Sequence, residues 1–315
     1  MTVITWLGLL AALIWTTTVV SWCRRAARGP HGEAWRRFFR HPTSTAGVAV
    51  LVFFATAAVF APLLAPYSPS RQLDIVALQN HPPSWLFLLG TDVYSRDIWS
   101  RLLFGAQVSL GIGTLGMAVA VGLGGLVGAV AGYFRGWTDA VLMRLVDVGL
   151  SIPRIFIVLL AIVLWERLGT ASLILLLGLT GWFATSRLVR GEVLSLRERP
   201  FTEAARAVGA RSWRIITHHI LPNALAPLII SAALGIGHMM LLEAGLSFLG
   251  VGVAPPAPSW GNMIAEGRDQ ITTAPWTSLF PGLAIALTVM ALNAIGDALR
   301  DALDPQAEVT FPAGD

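Results

Sequence analysis

EAARAVGARSWRIITHHILPN, residues 203–223, is a polar, arginine-bearing stretch set between two long apolar runs. A segment of that composition has to leave a bilayer and meet another surface. Outward from it, apolar runs lie at roughly 3–22, 45–65, 107–133, 151–168, 171–190, 224–250 and 278–299. A hydrocarbon core about 30 Å thick takes roughly 20 helical residues to cross. In lipid only helices or closed barrels satisfy the backbone, and no run alternates as a barrel strand does. The expected fold is therefore an all-α, polytopic membrane helical bundle. Composition agrees: 315 residues with 55% hydrophobic, 13% charged and a mean hydropathy of +0.68 are too apolar for an ordinary soluble domain.

All 22 basic residues are arginine. A Walker A phosphate loop needs its lysine, so this chain holds no ordinary one, and any ATP-driven work needs a second polypeptide to hydrolyse ATP. The basic pI of about 10.2 does not point to nucleic acid, because the arginines sit in short loops beside apolar runs, where they set topology. Arg24, Arg25, Arg28, Arg36, Arg37 and Arg40 crowd the first connection, and Arg187, Arg190, Arg197, Arg199, Arg206, Arg211 and Arg214 the one after the fifth run. By the positive-inside rule both face the cytoplasm. Threading the runs puts Arg135, Arg144, Arg154 and Arg300 on the inner side and leaves Arg71, Arg96, Arg101, Arg167 and Arg268 outside. The C-terminus, with Asp301, Asp304 and Glu308, is then cytoplasmic.

Cys23 is the single cysteine, which excludes an internal disulfide and a multi-cysteine metal site. Residues 3–22 lack a basic leader and a small-residue cleavage site, so an uncleaved helix is expected. Pro66, Pro69, Pro82 and Pro83 mark an extended outer connection, followed by a helical pattern in which Ile98, Leu102 and Leu103 recur beside Asp97 and Arg101. That pattern reads as an interfacial amphipathic helix leading into the next run, and its functional reading adds a periplasmic surface that touches a substrate-delivery protein. Trp260 and Trp276, in the second outer loop, suit a membrane interface. Gly111, Gly113, Gly116, Gly122, Gly124, Gly125 and Gly128 make the third run dense in small residues, as close helix packing requires.

Within the opening stretch, Thr202 to Val208 suits a short helix. Thr202 is its expected cap, Glu203 lies at the positive end of its dipole, and Ala204, Ala205 and Ala207 keep it slim enough to enter a groove. Gly209 takes the sharp turn. A second helix is expected from near Arg211 or Ser212, with Trp213, Ile216 and Ile220 facing the membrane helices and Pro222 ending it. The order Glu203-Ala204-Ala205, then Gly209-Ala210, then Ile220-Leu221-Pro222 matches the EAA loop through which bacterial ABC importer permeases meet their ATPase.

From Trp35 to about Pro305 the chain resembles the C-type permease of the peptide and nickel ABC importer family. The resemblance is carried by WRRFFRHPTSTAG, LLAPYSP, GTDVYSRDIWSRLLFGAQVSL, the EAA loop, LLEAGLSFLGVGVAPPAPSWGNMIAEGR and IGDALRDALDP; Ser95 replaces a usual glycine. It implies a type I ABC importer permease fold, a six-helix core with one extra N-terminal helix, in a multi-pass inner-membrane protein. The implied division is 1–28 an extra transmembrane helix, 29–65 an amphipathic segment and the first core helix, and 66–106 a periplasmic extension. Residues 107–305 form the permease core with the cytoplasmic EAA loop at 191–223, and 306–315 a cytoplasmic tail. The implied partners are a homologous B-type permease, two cytoplasmic ATP-binding subunits or domains, an extracytoplasmic solute-binding protein and the lipid membrane, with no nucleic acid. No cofactor and no catalytic residue are expected in this chain.

The cargo reads two ways. His238-Met239-Met240 resembles the nickel branch, and imidazole and thioether are plausible contacts for a metal or its chelate; Glu243 is the acid of the dipeptide and oligopeptide branch. His238 is either a pathway contact or a hydrogen-bonded structural residue. Glu243 either lines the pathway or ties two helices, since an intramembrane acid needs water or a partner. Arg187 and Arg190 either anchor the fifth run or contact an ATPase. An ion-gradient-driven secondary transporter is the alternative class, but it calls for partnered intramembrane carboxylates or broken helices in matching halves.

Overall fold

The computed structural model describes residues 2–26, 33–165 and 169–303. The expectations placed on Arg28, Arg167, Asp304, Glu308 and the tail 306–315 lie outside the described residues. Helices carry the fold. They begin with α1 (Thr2–Ala26), α2 (Glu33–Phe38), α3 (Pro42–Val59), α4 (Ala61–Leu64) and α5 (Ile75–Leu78). The central elements are α6 (Ile98–Phe134), α7 (Gly136–Ser151), α8 (Arg154–Leu164) and α9 (Thr170–Arg197). Then come α10 (Pro200–Ala207), α11 (Ser212–Ile215), a π-helical turn (Ile216–Ile220), α12 (Leu221–Phe248), α13 (Trp260–Gly267) and α14 (Trp276–Leu303). Among the described residues five helices are long and apolar enough to cross a membrane, and six if α7 and α8 form one broken span. Helix α1 buries Ala12, Thr16 and Val20, spaced four apart, and packs on α3.

One expected span is different. The apolar run 151–168 is not one helix: α7 ends at Ser151, and α8 leaves it at 83°. Pro153 is the cause, since a residue before proline is pushed out of the α region and Ile152 stands extended at φ −99°, ψ 125°. At roughly 1.5 Å per residue, the 11 residues of α8 reach only about half of a bilayer core.

The bundle is organised around the α6–α9 pair. Gly124, Gly128 and Gly132 recur every fourth residue along α6 and lie directly against α9. A Cβ at Gly124 would stand 2.6 Å from Thr185 Cβ and 2.7 Å from the Trp182 carbonyl; one at Gly128 would meet the Ser186 carbonyl and stand 2.9 Å from Val189 Cβ. Gly113 is equally tight, against Met240 and Ile236 of α12. The packing role expected of all the α6 glycines does not extend to Gly111, Gly122 and Gly125, which meet nothing within 4 Å. Gly128→Leu should therefore force the two helices apart at a cost of about 1–3 kcal/mol or more. Gly122→Leu should leave thermal unfolding in detergent nearly unchanged, and equal unfolding of the two variants would contradict the seam.

The pattern at Ile98, Leu102 and Leu103 leads into the next span as expected, but it is not a separate interfacial helix. It is the first turns of α6 itself, with Ile98 and Leu103 buried. Trp260 likewise leaves the membrane interface expected of it: it is wholly buried, edge-on to Phe54, and its Nε1 donates to the Leu102 carbonyl at 2.9 Å. The Nε1 of Trp276 donates to the Thr91 carbonyl at 3.2 Å. Both indoles thus hold the outer loops onto the helices.

Candidate functional site

Three regions could carry function: the polar hairpin between α9 and α12, a large cavity in the bundle, and an ion cluster beneath the outer loops. In the hairpin, α10 starts two residues earlier than expected because Pro200 takes the first turn, where its missing N–H costs nothing. Thr202 is consequently not the cap. It is buried and donates its hydroxyl to the Leu196 carbonyl at 2.9 Å, fastening α10 to the end of α9. Glu203 sits in the first turn, as the dipole favours.

Helix α10 ends in a Schellman motif. Gly209 N–H donates to the Arg206 carbonyl at 3.0 Å and Ala210 N–H to the Ala205 carbonyl at 3.1 Å, with Gly209 at φ +82°. Its outer surface is bare: Phe201, Ala204 and Ala207 are exposed and Val208 is 88% exposed.

The second helix starts at Ser212, as expected, and Ile216 and Ile220 are buried as expected. Trp213 is exposed, and Ile215 takes its place on the buried face. Pro222 does not end the helix. The chain continues from Ser212 to Phe248 through the π-helical turn, whose wider loop, closed by Leu221 N–H to the Ile216 carbonyl, absorbs the proline. Asn223 Nδ2 donates to the His219 carbonyl at 2.6 Å beside it. His218 pairs only with its neighbour, Nδ1 to Thr217 Oγ1 at 2.7 Å. Arg187 and Arg190 anchor α9 to α7: Arg190 grips Asp139 with two bonds of 2.5 and 2.6 Å, and Arg187 meets Asp147 at 2.5 Å.

The cavity holds about 670 Å³ and is walled by α6, α8, α9, α12 and α14. His238 and Met239 line it, together with Met117, Arg154, Glu192 and Asp297. His238 donates Nδ1–H to the Leu234 carbonyl at 3.1 Å, leaving Nε2 free within the described chain. Met240 is turned away, buried in the core with Trp260 and Phe54. Glu243 is also away from the cavity: it is buried, and its Oε1 accepts from Ser247 Oγ at 2.7 Å and Ser259 Oγ at 2.8 Å. Ser259 caps α13, so Glu243 ties α12 to α13. Of the four residues singled out around His238, the fold brings two to one cavity and puts two elsewhere.

Arg154 was placed at the inner boundary by sequence. It lies instead beside the middle of the bundle, with Nε donating to Thr180 Oγ1 at 3.0 Å and Nη2 to the Leu177 carbonyl and Met239 Sδ. The break at Pro153 carries it there.

The third region is a closed ion ring. Asp92 Oδ2 accepts from Arg96 Nε at 2.6 Å and Arg101 Nη1 at 2.7 Å, while Glu266 Oε2 meets Arg96 Nη2 at 2.5 Å and Arg101 Nη2 at 2.9 Å. Each guanidinium bridges both carboxylates, joining the loop before α6 to α13. Next to it, burial pushes the Asp97 carboxyl up, opposed by the Ser100 hydroxyl and by the backbone N–H groups of Ser100 and Trp99.

Comparison with known proteins agrees with this architecture. Residues 124–309 match the binding-protein-dependent transport system inner membrane component family, and residues 29–83 match the N-terminal transmembrane domain of oligopeptide transport permease C. A glutathione transport system permease protein of Pectobacterium atrosepticum is 40% identical over 283 residues, covering 90% of this chain and 93% of that one. A dipeptide transport system permease protein of Alkalihalophilus pseudofirmus is 41% identical over 282 residues, covering 89% and 91%. A putative peptide transport system permease protein of Brucella abortus is 41% identical over 276 residues, covering 87% and 91%. Among solved structures, the MetNI methionine ABC transporter in an inward-facing conformation gives a TM-score of 0.50 at 21% identity, over 63% of this chain and 96% of that one. That likeness extends to the fold.

Proposed function

We propose that this chain, which belongs to the family of binding-protein-dependent transport system inner membrane components, passes small peptides through its half of the translocation pathway. It is a multi-pass inner-membrane permease subunit of an ABC importer, whose ATP is hydrolysed by a separate subunit and whose cargo arrives on a binding protein. Membership sets aside the ion-gradient alternative. The peptide reading is carried by one observation: the named glutathione, dipeptide and peptide permeases match along nearly the whole chain. The cavity supports it, since about 670 Å³ lies within the range of small-molecule sites. The nickel alternative has less support, because of His238, Met239 and Met240 the last is buried in the core and Met239 accepts from Arg154.

In this reading the second half of the pathway is a homologous B-type permease. The exposed ridge of α10, with Glu203, Ala204 and Gly209, docks in a groove of the ATPase, and Ala205, Ala210, Ile220, Leu221 and Pro222 seat the hairpin on the bundle. The C-terminus is cytoplasmic, α1 is a span added to the 29–305 core, and the chain works without a cofactor. The test is uptake by the complete importer in proteoliposomes. A labelled dipeptide should accumulate, excess unlabelled peptide should suppress it, and Ni²⁺ should not compete. Accumulation of Ni²⁺ without peptide would contradict the reading.

A further inference from the structure

Among the described residues Arg154 is the one guanidinium placed both against the cavity and beside the middle of the apolar runs. Its contacts, Leu177 and Thr180 on α9 and Met239 on α12, fall toward the middles of the runs 171–190 and 224–250, as Met117 on the same cavity wall does in the run 107–133. No carboxylate pairs with it among the described residues. A cation at that depth is costly, and such groups persist where they face a water-filled pathway and serve it. Of its five N–H donors, Nε is bound to Thr180 and Nη2 to Leu177 and Met239. Nη1 makes no bond within the described chain and is not among its sealed polar atoms. The guanidinium is thus held rigidly on one side and presents two N–H groups on the other.

The held side is closely packed. Gly181 faces the head group, and a Cβ there would stand 3.2 Å from Nη2 and 2.7 Å from Met239 Cε. Farther along the same cavity stand Glu192, Asp297 and Arg300, none in an ion pair among the described residues. A lining with charges of both signs, and one guanidinium fixed among them with Nη1 free, suits a zwitterion. The geometry points to Arg154 as a binding residue for the C-terminal carboxylate of the peptide cargo inside the permease, a deepening of the peptide reading on which it rests. With Nε and Nη2 held by α9 and α12, the free Nη1 is the group that can donate a charge-assisted bond to a carboxylate.

The test uses the complete importer in proteoliposomes with excess binding protein, and compares uptake of alanyl-alanine with that of its C-terminal amide. The same binding protein serves every variant, so its own selection cancels when acid-to-amide ratios are compared. Arg154→Gln should lower that ratio about tenfold, the scale of one lost charged hydrogen bond. Arg154→Lys should keep most of it, and binding-protein-stimulated ATP hydrolysis should persist in both. An unchanged ratio in Arg154→Gln overturns the inference while leaving the peptide reading standing. Equal loss of acid and amide uptake, or loss of subunits on purification, assigns Arg154 to a structural pairing with the second permease and also overturns it. An unmodified importer that takes up neither peptide removes the cargo reading, and the inference with it.

Discussion

Gly209→Asp should leave the protein inserted in the membrane at normal levels and reduce ATP-driven uptake at least about tenfold, while loosening the ATPase. The glycine ends α10 at φ +82° with open space around it, so no clash within the chain is involved. A side chain there works against the left-handed backbone, at a cost of about 1 kcal/mol, and it adds a negative charge beside the exposed ridge of Ala204, Ala207 and Val208. Gly209→Asn separates the two effects, because asparagine tolerates that conformation and carries no charge. It should retain most of the uptake. Normal uptake in Gly209→Asp would sink the docking role of the hairpin.

Arg101→Ala should cost more stability than any other single change discussed. Arg101 is 2% exposed and bridges Asp92 to Glu266, so its removal leaves both carboxylates to Arg96 alone. Breaking a buried ion pair on one side costs about 3–5 kcal/mol, because the abandoned charge stays desolvated. Against a typical stability of about 5–15 kcal/mol, that is a large share. Thermal unfolding in detergent should shift down by many degrees, and Arg101→Lys should not restore it, since an ammonium cannot bridge two carboxylates as a planar fork does. An unshifted midpoint would show that the ring contributes nothing to holding α13 against α6.

The sequence makes the bundle plain because its signals are local. Apolar runs long enough to span, arginine-rich connections, and Glu203-Ala204-Ala205 with Gly209 at its fixed distance each read without tertiary knowledge, and Gly209 adopts the turn its position demands. The errors arise where distant residues decide. Arg101 reads as part of an interfacial helix because its partner Glu266 lies far along the chain, on α13. Trp260 looked like an interface anchor because nothing local shows that Leu102 accepts its N–H. Met240 and Glu243 share a helix with His238 but point to other neighbours, since one helix face serves the cavity and another the core. Arg154 carried a legible signal that went unread. Ser151-Ile152-Pro153-Arg154 sets a helix breaker and a charge inside an apolar run, and that combination marks the broken span and the cavity residue together.

The most direct measurement of the central claim is uptake by the purified complex under two energy sources. The tagged chain is recovered from membranes with its associated subunits, reconstituted with its binding protein, and supplied either with ATP or with an ion gradient. Uptake that follows ATP, requires the co-purifying ATPase and stops without the binding protein is the predicted result. Uptake by this chain alone on an ion gradient, indifferent to ATP, would contradict the account.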